Sequence, residues 1–425
     1  MRESGAQRTL VNRVSLGVLN MTLRGLGLVG RFALLFYLVR FLDLNSVALF
    51  GLVYAGVAMA PPFLNFGLHF RMNREIVGTS DLESGHRLRD RLWLHILTYT
   101  SLALVAVSAA ATFGYLALAN VKFACLVLIV GILDVLLNEI HLFLISRQRP
   151  LLANTIYFLR SSAWIFPFLI SSFLIVAWRN LDSVFIFWIS GQIIGLLMFF
   201  GALYKWPWRN VWRKRVDFSW LFVDLNKSAM IWLSDIGTVV GQFIDRFVLG
   251  LFLSTHSIGI YVFFWSLANG AQQLVYTGIV QIVFPHFVSA SRSANNAEFR
   301  RLLISELKNV LIVSILMCGL MFCTAPLIYA FSGRPTLSEN GALFAELLLG
   351  TVIRLGADLT GIALYARGHA SQIAAINITT PVISVVFASV ALTLLGFNGI
   401  GIAFIGTNFT LLALRLYALR GDIRG

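Results

Sequence analysis

The chain has 425 residues, of which 58% are hydrophobic and only 12% charged, and its mean hydropathy is +0.82. A soluble globule of this size needs a polar exterior that so few charges cannot supply, so the composition excludes a water-soluble fold and leaves lipid as the solvent. A formal net charge of +14 would suit nucleic acid or a membrane surface, and the placement of the charges decides between them.

Twelve apolar segments follow one another, at 14–39, 46–69, 92–117, 121–145, 156–178 and 183–203, then 229–252, 258–284, 309–331, 341–366, 371–395 and 398–418. Each can cross a bilayer core of roughly 30 Å. They are uniformly apolar, without the alternation of barrel strands, and so predict an all-α integral membrane protein with about twelve transmembrane helices. The first segment lacks the short core and small-residue cleavage site of a signal peptide and reads as a retained helix. Cys125, Cys318 and Cys323 lie in apolar segments and read as small hydrophobes, not as a disulfide or metal set. No cofactor is expected.

With the N-terminus in the cytoplasm, the inside segments hold 24 basic residues and the outside ones four: Arg40, Lys122, Arg179 and Arg334. This asymmetry places both termini inside and accounts for the basic charge without nucleic acid. The run Arg213-Lys214-Arg215 reads either as part of that topology signal or as a site for anionic lipid or a partner.

The chain looks duplicated. Residues 41–51 can be laid over 251–261 at an offset of 211, with Ser46 and Ser257 each in a polar turn between spans. Two parallel six-helix lobes follow, 1–203 and 229–425, joined by an inter-lobe linker at 204–228. In transporters built this way the substrate site lies between the repeats.

Charges inside spans are costly and tend to face a bundle interior or a wet cavity. Arg24 and Arg31, seven residues apart, share one helix face. They form either a cationic stripe for a lipid pyrophosphate or partners for carboxylates on other helices. Asp134, Asn138 and His141 form a second stripe, with Glu139 off that face; it is either a proton relay or an interhelical hydrogen-bond network. Arg354 and Asp358 can pair along one helix. Asp245 and Arg246 point about 100° apart, so at least one braces a neighbouring helix. Asn269, Gln272, Gln273 and Tyr276 can bond sugar hydroxyls or other helices. Pro61, Pro62, Pro167, Pro326 and Pro381 interrupt spans.

The run Ile244-Asp245-Arg246-Phe247-Val248-Leu249-Gly250, then Ser257-Ile258-Gly259-Ile260-Tyr261 and Pro285, resembles the polysaccharide transporter family. Phe50-Gly51 and Asn65-Phe66-Gly67 before Arg71 and Arg74 add to the likeness. These are flippases for O-antigen and exopolysaccharide units, within the multidrug/oligosaccharidyl-lipid/polysaccharide exporter superfamily. The resemblance implies two lobes around a central cavity, alternating access, and a lipid-linked oligosaccharide, on undecaprenyl pyrophosphate, as cargo in the bacterial inner membrane. It also implies membrane lipids and polysaccharide polymerase machinery as partners.

Three functions are therefore weighed: that flippase, a cation-coupled multidrug exporter of the same superfamily, and a membrane-embedded polymerase or glycosyltransferase. The short outside connections speak against the enzyme. At the offset of 211, Arg24 coincides with Asp235, and the two would pair as a gate when the lobes close on the cytoplasmic side. The alternative is that Asp235 pairs within its own lobe.

Overall fold

The computed structural model describes residues 3–68, 76–112, 121–292 and 296–424, with only the backbone near some helix ends. No strand occurs among the described residues. Long helices follow in chain order: α1 Glu3–Phe41, α2 Leu44–Asn65, α3 Asp81–Thr112, α4 Val121–Ser146, α5 Pro150–Leu174 and α6 Leu181–Ala202. Then come α7 Leu221–Phe252, α8 Thr255–Arg292, α9 Asn296–Cys323, α10 Gly341–Ala366, α11 Ala370–Leu395 and α12 Gly399–Arg424.

Ten described stretches are long and apolar enough to cross a membrane, and one of them, Ala370–Gly421, contains both α11 and α12. The remaining long helix, α7, carries Asp235, Asp245 and Arg246 within its 32 residues. The chain is thus a multi-pass, all-helical membrane protein with ten to twelve spanning helices.

Several boundaries differ from the hydropathy reading, among them the start of α7, at Leu221 and not near 229, and that of α9, at Asn296 and not near 309. Helix α3 begins at Asp81, not near 92, so Arg87, Arg89 and Arg91 are helical rather than loop residues. Helix α5 begins at Pro150, whose missing N–H costs nothing at a helix start. The ninth span ends at Cys323, not near 331, because Pro326 opens a separate short helix, Ala325–Ser332. Pro61, Pro62 and Pro381 stay inside their helices. Arg2, Arg71 and Arg74 lie outside the described residues.

The chain forms two compact units, Met1–Leu34 with Gly56–Trp232, and Leu35–Ala55 with Leu233–Gly425. The first has a core of Leu88, Leu137, Ile140, Phe143, Ile156 and Phe199 from α3 to α6. In the second, Val280, Phe287, Phe299, Val310, Leu355 and Leu359 join α8, α9 and α10. Small residues set how closely helices approach in each. A Cβ on Gly27 would stand 3.1 Å from Ser162 Oγ, drawing α1 onto α5 in the first unit. In the second, a Cβ on Gly259 would meet the Leu44 carbonyl at 2.0 Å, and one on Gly51 would meet Val262 at 2.4 Å.

Candidate functional site

In the first unit, the two sequence stripes meet. Arg31 is half-buried, donates a hydrogen bond to Tyr157 and places its charge beside Asp134. Arg24 is exposed, with its charge acting on His141. Asp134 and His141 are themselves seven residues apart, so α1 and α4 oppose each other with the stripes reversed. His141 Nδ1 lies 3.0 Å from the Ala153 carbonyl, and its ring packs 5.6 Å from Tyr157.

A third arginine, absent from the sequence expectations, completes this patch. Arg160 lies in a π-helical turn, Leu159–Ala163, that interrupts α5. Such single turns widen a helix locally and are frequent at functional sites. Arg160 is 8% exposed, and its guanidinium lies 3.3 Å from the Asp134 carboxylate, 3.1 Å from the Asp134 carbonyl and 5.3 Å from the Tyr157 ring centroid. Gln192 of α6 bonds the same carboxylate and donates to the Val130 carbonyl at 3.1 Å. Two guanidinium groups, Arg160 and Arg31, therefore flank one carboxylate, and Arg24 lies further along α1 beside His141.

A second buried network in this unit was also missed. Arg91 bonds Glu139, the Leu68 carbonyl at 3.0 Å and Asn65 Oδ1 at 3.0 Å. Glu139 also takes His95 Nε2 at 3.2 Å. Phe66 and Gly67 take positive φ, 51° and 68°, which turns the chain after Asn65 so that the Leu68 carbonyl reaches Arg91. Glu139 is off the Asp134 stripe, as expected, because it serves this other face.

In the second unit, Arg354 and Asp358 pair at 3.2 Å, as the spacing predicts. Distant helices complete the group: Gln272 donates to Asp358 at 2.9 Å, Arg415 approaches it at 3.6 Å, and Arg354 reaches Asn408 at 3.4 Å. Arg415 also bonds Asn377, which donates to Ser234 at 3.2 Å. Asp235 is half-buried next to Ser234, in this unit and not in that of Arg24. Asn269 accepts from Gln242 at 3.4 Å, whereas Gln273 is exposed and Tyr276 packs on the apolar core. Gln272 and Gln273 diverge because adjacent helical residues point about 100° apart, whereas Tyr276, four residues on, stays on the Gln272 side within reach of the Asp358, Arg354 and Arg415 charges.

Asp245 and Arg246 diverge as their 100° separation requires. Asp245 bonds Tyr261 and faces a cavity of about 40 Å³ lined also by Gln242, Trp265, Gln272, Arg354 and Asn408. Arg246 is 1% exposed, lies 3.9 Å from the Trp265 ring centroid and donates to the Gly51 carbonyl at 3.2 Å. It is the brace. Among the described residues no group of His, Cys, Asp and Glu could hold a metal ion.

No protein-family model and no curated protein matches this sequence. Solved structures do. One is the inward-facing conformation of a multidrug resistance MATE family transporter of the MOP superfamily, with 14% identity, a TM-score of 0.75, and 96% of this chain covering 98% of that one. The fold is a MATE fold. An outward-facing MATE transporter of the same superfamily is similar at 15% identity and a TM-score of 0.61, covering 96% of this chain and 93% of that one. The Vibrio cholerae MATE transporter VcmN, solved as a mutant, aligns at 14% identity and a TM-score of 0.54 over 96% and 98% of the two chains. Each unit supplies its own buried polar group, Asp134 with Arg31 and Arg160 in the first and Asp358 with Arg354 and Arg415 in the second, and in both groups two arginines meet one carboxylate.

Proposed function

We propose that the chain is a transporter of amphipathic molecules that works by alternating access in a bacterial cytoplasmic membrane. What supports this is a likeness along the whole chain to transporters solved in inward-facing and outward-facing states. Those neighbours are multidrug transporters, so the likeness favours a cation-coupled multidrug exporter over a flippase for lipid-linked oligosaccharides. On that reading Asp134, Asp245 and Asp358 are the groups on which a coupling cation would act.

One observation favours the flippase. Arg31 and Arg160 flank Asp134, which Arg160 already engages, and Arg24 adds a further cation along the same face beside His141. A guanidinium surplus attracts an anionic head group and repels a cationic drug, and the guanidinium fork suits phosphate oxygens. A pyrophosphate-linked oligosaccharide has the required charge at one end and a tail that stays in lipid. Both readings share the orientation with both termini cytoplasmic, which the loop charges support.

Titration of the purified protein in nanodiscs with a polyprenyl pyrophosphate and with a cationic dye separates the two. A flippase binds the pyrophosphate and loses about tenfold in affinity in Arg31→Gln, the weight of one charged hydrogen bond. An exporter binds the dye with no loss in that variant. Binding of neither would count against a transporter of amphipathic molecules.

A further inference from the structure

The segment joining α6 to α7 is built onto the first unit. Arg89 of α3 is 2% exposed and donates to the carbonyls of Val211 at 2.5 Å, Lys214, and Arg215 at 3.0 Å, while Asp90 holds its Nε at 2.9 Å. One guanidinium thus caps the C-terminal end of the short helix Trp208–Arg213. A Cβ on Gly85 would stand 2.6 Å from Val211 Cγ2, so α3 and the segment are in close contact. Trp206 packs 5.6 Å from Phe143, 5.8 Å from Trp208 and 5.5 Å beneath the Arg147 guanidinium.

This fixed backbone turns a basic and aromatic face outward. Lys205, Arg209, Arg213, Lys214 and Arg215 are exposed, as are Tyr204 at 71% and Trp212 at 49%. From Tyr204 to Trp220 these five basic residues stand against one acid, Asp217, and four of the chain's ten tryptophans fall there. Helix α6 ends at Ala202, so the face emerges where hydrocarbon gives way to head groups. A topology signal needs only the charges. It needs neither tryptophans at the interface nor a backbone clamped by a buried arginine.

We propose that residues 204–216 are a docking surface for the anionic phospholipids of the adjoining leaflet. The five cations meet lipid phosphates, and Tyr204 and Trp212 sit at the level of the glycerol esters. The occupant is the bilayer's own lipid, and the inference does not depend on the cargo.

Hydrogen exchange of the 204–216 peptide tests it, with the full chain in nanodiscs of phosphatidylcholine doped with increasing phosphatidylglycerol. In the unaltered protein, protection rises with phosphatidylglycerol and is lost in high salt. R213Q/K214Q/R215Q weakens the lipid dependence by about fivefold per charge removed, on the order of 100-fold in all. R213K/R215K keeps it. Equal protection in both lipids would overturn the proposal, as would unchanged phosphatidylglycerol dependence in the triple variant. Protection produced in pure phosphatidylcholine by a polyprenyl pyrophosphate, or only by an added cytosolic protein, would assign the surface to another occupant and also overturn it.

Discussion

Replacing Glu139 by Gln should destabilise the protein more than removing its whole ion pair. Glu139 is 1% exposed and Arg91 6%, so neither charge has water to fall back on. In the variant, Arg91 keeps the Leu68 carbonyl and Asn65 but loses its counter-charge. An uncompensated buried charge costs about 3–5 kcal/mol, whereas replacing both members by apolar groups of similar volume is often neutral. Arg91→Met with Glu139→Leu should therefore lie closer to the unaltered protein than Glu139→Gln does. At this chain length about 1 kcal/mol corresponds to roughly 1 °C in Tm, so the single variant should melt about 3–5 °C lower. The assay is thermal unfolding of the purified chain in detergent, followed by tryptophan fluorescence. If Glu139→Gln melts with the unaltered protein, or above the double variant, Arg91 does not depend on that carboxylate and the reasoning fails.

Gly259→Ala should cost about 1–3 kcal/mol by thermal melting, because its Cβ would stand 2.0 Å from the Leu44 carbonyl oxygen. Gly278→Ala, with open space around it, should be silent in the same measurement. Asp43 begins α2 by accepting the Ser46 N–H at 2.7 Å, and Asp43→Ala should cost about 1 kcal/mol of stability. The Ser46 hydrogen bonds hold its carboxyl below the ordinary 3.8 against a smaller cost of partial burial. Its contribution is therefore complete at neutral pH and is lost as pH falls below 3.8, which melting of the two proteins across that range would show. Reporter fusions after Arg89 and after Arg215 should both report the cytoplasm, and an outside signal at either would overturn the orientation.

Much of the fold was legible because a membrane span leaves a local signal, about twenty apolar residues in a row. The stripes of Arg24 with Arg31 and of Asp134 with His141 were legible too, since helical period alone puts each pair on one face. What periodicity could not supply was the partner. Arg160 passed as an interruption in an apolar run, although any arginine within a span is a signal. Arg91 was counted as a loop cation because hydropathy began the third span at 92, eleven residues after its helix starts at Asp81. The pairing of Asp358 with Arg354 was local and predictable. Its contacts with Gln272 and Arg415, 86 and 57 residues away, depend on packing that no single segment encodes. The stretch 204–228 read wholly as a linker because its charges are plain in the sequence, whereas its last eight residues already belong to α7, and the Arg89 clamp that fixes the part before it is visible only in three dimensions.

The stretch Leu35–Ala55 belongs to the compact unit whose remainder starts at Leu233, and its Leu44 and Gly51 are in close contact with Gly259 and Val262. During translation the ribosome delivers this stretch some two hundred residues before its packing partners exist. The end of α1 and the start of α2 must wait in the bilayer, as inserted but undocked hairpins, until α7 and α8 emerge. A polypeptide halted before Leu233 would keep those faces open to lipid, where quality-control proteases act. The second half of the molecule is therefore a folding requirement for part of the first, and the two halves expressed as separate genes should accumulate only together.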